Sequence, residues 1–86
     1  MISRQVTKTK KDEDGDILAL CNPFSTWSPR WKSDAIADIE KKIYRYYVEI
    51  DNKEVNIHVV KGSRGKYLRT DPDKTVNNNL DYLPDC

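Results

Sequence analysis

The stretch that decides the fold is residues 44–60, which reads YRYYVEIDNKEVNIHVV. Apolar or aromatic residues occupy every second position on both sides of the central Asp51-Asn52-Lys53. A period of two residues is typical of a strand that faces the core on one side, and Asp and Asn are turn formers. The stretch therefore predicts a β-hairpin with one apolar face, and that face needs a second layer to cover it.

The covering layer is predicted just before the hairpin, in residues 34–43. The apolar residues with the i, i+3, i+7 spacing of one helical face are Ile36, Ile39 and Ile43. Ser33 stands where an N-cap residue is expected. Asp38 lies four residues before Lys42, a spacing that allows an ion pair on the helix surface. We therefore predict one helix packed across the apolar face of the sheet.

The rest of the chain adds strands at both ends of this unit. Residues 3–9 and 17–21 are predicted to be two strands joined by an acidic, glycine-containing turn, and residues 66–70 to be the last strand. The expected fold class is α+β, with a small antiparallel sheet of four to five strands, one helix across one face, and the order β-β-α-β-β-β. Residues 1–86 are expected to form a single domain, with residues 71–86 as a C-terminal tail that wraps around it.

Length and composition limit the class of protein. The chain has 86 residues and a formal net charge of +1, and it contains no apolar run near the roughly 20 residues that a membrane-spanning helix needs. Residues 1–6 show no apolar signal segment, so a cytoplasmic location is expected. Cys21, Cys86 and a single histidine do not make a zinc ligand set, and free thiols are expected in that compartment. The acidic residues 12–16 lack the ligand spacing of a calcium loop, so we expect neither a metal nor a cofactor.

Candidates for catalysis are few. His58 is the only histidine, and strand alternation places it on the face opposite Ile57. Ser63 lies in a glycine turn, and neither cysteine has an adjacent base in the sequence. A nucleophile with its base and orienting group cannot be assembled from these residues, so we expect no enzymatic activity.

A local excess of positive charge marks residues 61–69, which contain no acidic residue. The candidate contacts for a ligand or nucleic acid there are Lys61, Arg64, Lys66, Tyr67 and Arg69. A second basic run comprises Arg4, Lys8, Lys10 and Lys11, and it would merge with the first if the first strand lay beside the last. Cations bind phosphates and exposed tyrosines stack on bases, whereas lysines on a solvated edge also prevent strand pairing between molecules. Nucleotide or nucleic-acid binding is therefore the alternative function.

Large aromatic rings are numerous for so small a domain, with two tryptophans and five tyrosines. The candidates for a protein interface are Trp27, Trp31, Tyr44, Tyr47 and Tyr82. Aromatic residues are the usual anchors of interfaces, although a tryptophan in a connecting loop can equally close the core. We therefore expect a small binding or regulatory module that acts through protein–protein contact, with another protein or a second copy of the chain as its partner and no membrane contact.

Several short motifs are shared with one known family. They are Trp27-Ser28, Ala35-Ile36, Asp38-Ile39-Glu40, Tyr46-Tyr47-Val48, Tyr67-Leu68-Arg69-Thr70, Asn78-Asn79-Leu80 and Leu83-Pro84. With these motifs the chain resembles a family of short, mainly bacterial and phage-borne proteins known only as a domain of unknown function. The resemblance covers nearly the whole chain and implies an intact member, but no activity, cofactor or partner. One departure is Lys41-Lys42, where a glycine would be expected to end the helix.

Overall fold

The computed structural model describes residues 1–70 and 79–86, without the side chain of Asn79. The elements are β1 (Ile2–Gln5), β2 (Lys8–Lys11), β3 (Ile17–Cys21), β4 (Arg30–Trp31), α1 (Lys32–Glu40), β5 (Tyr44–Ile50), β6 (Lys53–Gly62), β7 (Gly65–Thr70) and a 3₁₀ turn (Asn79–Tyr82). The strands form two sheets, in the orders β1-β5-β6-β7 and β2-β3-β4, and α1 contacts both. The α+β class and the packing of one helix against the sheet are confirmed. The described residues nevertheless form seven strands in two sheets, where four to five in one sheet were predicted.

The predicted central hairpin is confirmed as β5 and β6. Ile50 pairs with Lys53, so the connection is the two residues Asp51 and Asn52, whose φ values are 51° and 64°. Two successive positive φ angles define the type I′ turn, whose twist matches that of the flanking strands. The hairpin residues buried on the side of the core are Tyr46, Val48 and Ile57.

The helix α1 begins earlier than predicted. It runs Lys32–Glu40, so Ser33 lies inside it, and Trp31 occupies the N-cap position without a side-chain cap hydrogen bond. The predicted N-cap was therefore wrong, because pairing of β4 with β3 carries the chain directly into the helix. Ile36 and Ile39 pack against the core as the helical spacing predicted.

The end of α1 is closed by a residue in the left-handed region. Lys42 has φ 57°, a conformation that favours glycine because a Cβ atom is crowded there. Its amide donates to the carbonyl of Ile39 at 3.1 Å, and the amide of Ile43 donates to the carbonyl of Asp38 at 2.9 Å. These two bonds form a Schellman motif, with lysine at the position where glycine was expected. Ile43 lies beyond the helix and is largely exposed, so its predicted place on the helical face was wrong.

The predicted first strand divides into two strands in different sheets. β1 runs parallel to β5, whereas β2 pairs antiparallel with β3 as the predicted first hairpin. Between them Val6 is buried, and its amide donates to the carbonyl of Tyr47 at 2.8 Å. The next amide, Thr7, donates to the carbonyl of Cys21 at 3.0 Å, so the chain changes sheets at this point. Burial of the one apolar residue of this segment outweighs the continuation of a single strand.

The C-terminal residues lie along the free edge of β2. Leu80 is fully buried, and the carbonyl of Pro84 and the amide of Cys86 are both hydrogen-bonded to the main chain of Thr9, each at 3.0 Å. A disulfide joins Cys21 to Cys86, with the Cα atoms 6.4 Å apart. The expectation of free thiols was therefore wrong, because the pairing beside Thr9 brings together two cysteines that are 65 positions apart. Most of the predicted tail, residues 71–78, lies outside the described residues.

The core combines residues from both sheets, the helix and the 3₁₀ turn. Its buried members are Val6, Ile17, Leu20, Ala35, Tyr46, Val48, Ile57, Leu68 and Leu80. Within the described ranges, no helix has the length and apolar character needed to cross a membrane.

Candidate functional site

The outer face of the three-stranded sheet places a lysine beside a tryptophan. Thr9 of β2 pairs with Leu20 of β3 and both are fully buried, so their neighbours along each strand point away from the core. On that outer side Lys10 pairs with Ala19, and Ala19 pairs with Trp31 of β4. Because Ala19 is small, the two longer side chains meet, and Lys10 Nζ lies 5.3 Å from the centre of the Trp31 ring.

A groove of about 460 Å³ runs along this face, and we call it the Trp31 groove. It is lined by Lys8, Lys10, Cys21, Pro23, Ser28, Pro29, Trp31 and Cys86. The Cys21–Cys86 disulfide is thus part of its wall. These residues include two lysines and no acidic side chain, and most of the others are apolar. The groove can accept an apolar group beside a pair of cations.

Phe24 stands next to the groove and is 97% exposed. It follows Pro23, a groove residue, in a turn closed by a hydrogen bond from the Ser25 amide to the Asn22 carbonyl at 2.9 Å. The side chain of Asn22 accepts from the Phe24 amide at 3.1 Å and donates to the Gln5 carbonyl at 2.9 Å. These bonds hold the turn against β1, so the exposed ring is presented from a fixed backbone.

The orientation of Trp31 depends on its neighbour Arg30. Arg30 points inward and donates two hydrogen bonds to Asp38 of α1, from Nε to Oδ2 and from Nη2 to Oδ1, each at 2.9 Å. Adjacent residues of a strand face opposite sides, so an inward Arg30 keeps Trp31 outward in the groove. Asp38 is buried, and the predicted surface pair with Lys42 was wrong because Arg30 draws the carboxylate inward.

Asp38 is also held by Tyr46 and Arg4. The Tyr46 hydroxyl donates to Asp38 Oδ2 at 2.6 Å and accepts from Arg4 Nη1 at 2.8 Å, while Arg4 Nη1 lies 3.9 Å from that carboxylate oxygen. Burial alone would raise the pKa of Asp38, but hydrogen bonds from Arg30 and Tyr46 and the nearby guanidinium charges outweigh it and lower that pKa. Burial and the bond to Asp38 raise the pKa of Tyr46 to about 12. At neutral pH the cluster therefore contains a carboxylate, two guanidinium groups and a neutral phenol, which is a structural ion-pair network.

The five predicted interface aromatics do not form one surface. Trp27 and Tyr44 are partly buried and surround Arg4, whose guanidinium carbon lies 5.5 Å and 3.4 Å from their ring centres. The position of Trp27 agrees with the core-closing alternative. The other three lie in separate places, with Trp31 half exposed in the groove, Tyr47 beside Arg45 on the opposite face of the large sheet, and Tyr82 exposed on the 3₁₀ turn.

The predicted basic residues are only partly brought together. Arg64, Lys66 and Tyr67 line a second cavity of about 470 Å³ that Asp16 and Asp81 also line. Lys66 Nζ is bonded to the Glu40 carboxylate at 2.7 Å on the helix side of β7.

The remaining basic residues lie apart from that cavity. Arg69 donates from Nε to the carbonyl of Thr70 at 3.2 Å, and Lys61 pairs with Lys66 across the β6–β7 hairpin. The second basic run does not join them, because β1 lies at the opposite edge of the large sheet from β7 and β2 lies in the other sheet.

Sequence reasoning missed Phe24 and the groove beside it. Asn22 and Pro23 predict a turn, and a residue two positions into a turn held by Asn is commonly exposed, so the signal was present. The groove itself carries no sequence signal, because its walls come from residues in β2, β3, the loop before β4 and the C-terminus.

Comparison with known proteins gives one match. A family model described as "Protein of unknown function (DUF3892)" matches residues 5–84. Neither the curated proteins nor the solved structures contain a match to the chain.

Proposed function

Because the chain belongs to the DUF3892 family of unknown function, its role has to be inferred from its own surface, and we propose a small non-enzymatic binding or regulatory module. It acts through protein–protein contact. The contact surface is the Trp31 groove together with Phe24.

The observation that supports this proposal is the nearly complete exposure of Phe24 beside a groove that holds a half-exposed tryptophan. Interfaces are anchored by aromatic residues that fill or adjoin pockets, and a large exposed ring on an ordered turn is costly in water unless a partner covers it. The bonds of Asn22 mean that little ordering is required on binding, which favours affinity.

Nucleotide or nucleic-acid binding remains the second candidate, supported by the cavity at Arg64, Lys66 and Tyr67. The arrangement favours it less. Asp16 and Asp81 line the same cavity and would repel a phosphate, and Glu40 already pairs with Lys66. This alternative predicts binding that weakens steeply with salt and depends on Arg64, whereas contact through apolar rings tolerates salt better.

Site-specific photo-cross-linking tests the proposal. A benzophenone-bearing residue replaces Phe24 or, as a matched control, Tyr82, which is 71% exposed and does not line the groove. In extract from the protein's own host we expect an adduct from position 24 that excess wild-type protein displaces and that Trp31→Ala diminishes. Equal adducts from both positions, or one unaffected by Trp31→Ala, would contradict the proposal. Titration with single-stranded oligonucleotides and ATP, using wild type and Arg64→Glu, tests the second candidate.

A cytoplasmic location also remains a proposal. Disulfides such as Cys21–Cys86 are more typical of oxidising compartments. Thiol alkylation of the protein within intact host cells measures which state is present, and rapid labelling of both cysteines is expected in the cytoplasm.

A further inference from the structure

The chemistry of the Trp31 groove indicates what kind of partner it takes. Resting on the proposed protein contact, we infer that the groove binds an extended protein segment in which a bulky apolar side chain is flanked by carboxylates. The apolar side chain enters between Trp31 and the prolines, and the carboxylates face Lys8 and Lys10.

The two lysines are arranged for such a segment. Lys8 and Lys10 lie two positions apart on β2, so both point to the outer face, with their backbone positions about 7 Å apart. An extended partner chain repeats at the same spacing, so carboxylates two residues apart can face both cations. Lys10 is further positioned by its contact with the Trp31 ring.

The positive charge of the groove is not neutralised by the part of the chain that the structure describes. Lys11, by contrast, is engaged with the C-terminal residues, because its Nζ donates to the Leu83 carbonyl at 3.1 Å and lies 3.6 Å from Asp85 Oδ1. Among the described residues no carboxylate side chain comes within ion-pair distance of Lys8 or Lys10. An acidic partner would supply the missing counter-charge, and a basic one would be repelled.

Binding of three short peptides, measured by fluorescence anisotropy, tests the inference. The first peptide is acetyl-Glu-Asp-Phe-Asp-Glu-amide with a fluorophore on its C-terminal side, the second has lysine in place of every acidic residue, and the third has alanine in place of phenylalanine. We expect the acidic peptide to bind about tenfold or more tightly than either of the others, and to weaken several-fold between low and high salt. Equal affinities for the acidic and basic peptides would overturn the inference.

Charge reversal in the protein provides the matched control. The double variant Lys8→Glu with Lys10→Glu is expected to reverse the preference between the acidic and basic peptides, whereas Lys61→Glu, an exposed change on β6 in the other sheet, leaves it unchanged. Circular dichroism checks that each variant is folded, and the peptide comparison on the wild type does not depend on any variant. An unchanged preference in the folded double variant would overturn the inference.

Two further outcomes separate this inference from other readings of the same surface. Vesicles containing phosphatidylserine are titrated in parallel, and binding to vesicles without discrimination among the peptides would show an anionic membrane surface as the ligand and overturn the inference. If the cross-link from position 24 persists in the double variant while the peptides show no acidic preference, the protein contact stands and the acidic partner is refuted. Loss of that cross-link in the double variant but not in Lys61→Glu supports the inference.

Discussion

Replacement of Asp38 by asparagine is the sharpest test of how the fold positions the groove. The side chain keeps its size, but it loses the negative charge that Arg30 and Arg4 face. An amide offers one oxygen and one NH₂ group, so it cannot accept the bonds that Arg30 and Tyr46 now donate to both carboxylate oxygens. At least one buried donor is left without an acceptor, and two guanidinium groups are left without a counter-charge.

The expected loss in the free energy of unfolding is about 3 kcal/mol. Removing one partner of a buried ion pair costs about 3 to 5 kcal/mol. The lower value applies because the Arg30 side chain is 34% exposed and can be hydrated, although that of Arg4 is only 15% exposed. A domain of 86 residues has a total stability of about 4 to 13 kcal/mol. A loss of this size should lower Tm by about 10 °C or more.

Urea denaturation of Asp38→Asn at pH 7, followed by circular dichroism, measures this loss. The matched control is Glu40→Gln on the same helix, since its exposed ion pair with Lys66 should contribute less than about 1 kcal/mol. Because the pKa of Asp38 is lowered in the folded state, its stabilisation is present above the unfolded value near 3.8 and is lost as the pH falls further. The gap between wild type and Asp38→Asn should therefore narrow in acid. A gap below about 1 kcal/mol at pH 7, or an equal loss in Glu40→Gln, would refute the reasoning.

Three further predictions follow from single features of the fold. Lys42→Gly should raise the free energy of unfolding by about 0.5 to 1 kcal/mol, because it relieves the left-handed backbone at the end of α1, and an unchanged or lower value in urea would contradict it. Reduction of the Cys21–Cys86 disulfide, or Cys86→Ser, should lower that free energy by up to about 4 kcal/mol, since the bridge closes a loop between cysteines 65 positions apart; equal urea midpoints with and without reductant would refute it. Tyr46 has a folded pKa of about 12, above the unfolded value near 10, so its contribution is full below pH 10 and is lost as the pH rises to 12. Tyr46→Phe should accordingly lose less stability than wild type over that interval.

The sequence by itself determined the elements that depend on near neighbours. The alternation on both sides of Asp51-Asn52 was sufficient for the β5–β6 hairpin and its buried face, because strand period and turn chemistry act over a few residues. The spacing of Ile36 and Ile39 likewise indicated the helix and the side that packs on the core.

Only the tertiary structure decided the arrangement of distant parts. Nothing local in residues 3–9 shows that β1 runs parallel to β5, that the chain changes sheets at Val6, or that Cys21 meets Cys86. Asp38 illustrates the physical reason, since its spacing to Lys42 suits a surface pair and only the approach of Arg30 and Tyr46 makes burial favourable. A groove whose walls come from four separate segments exists only once those long-range pairings have formed.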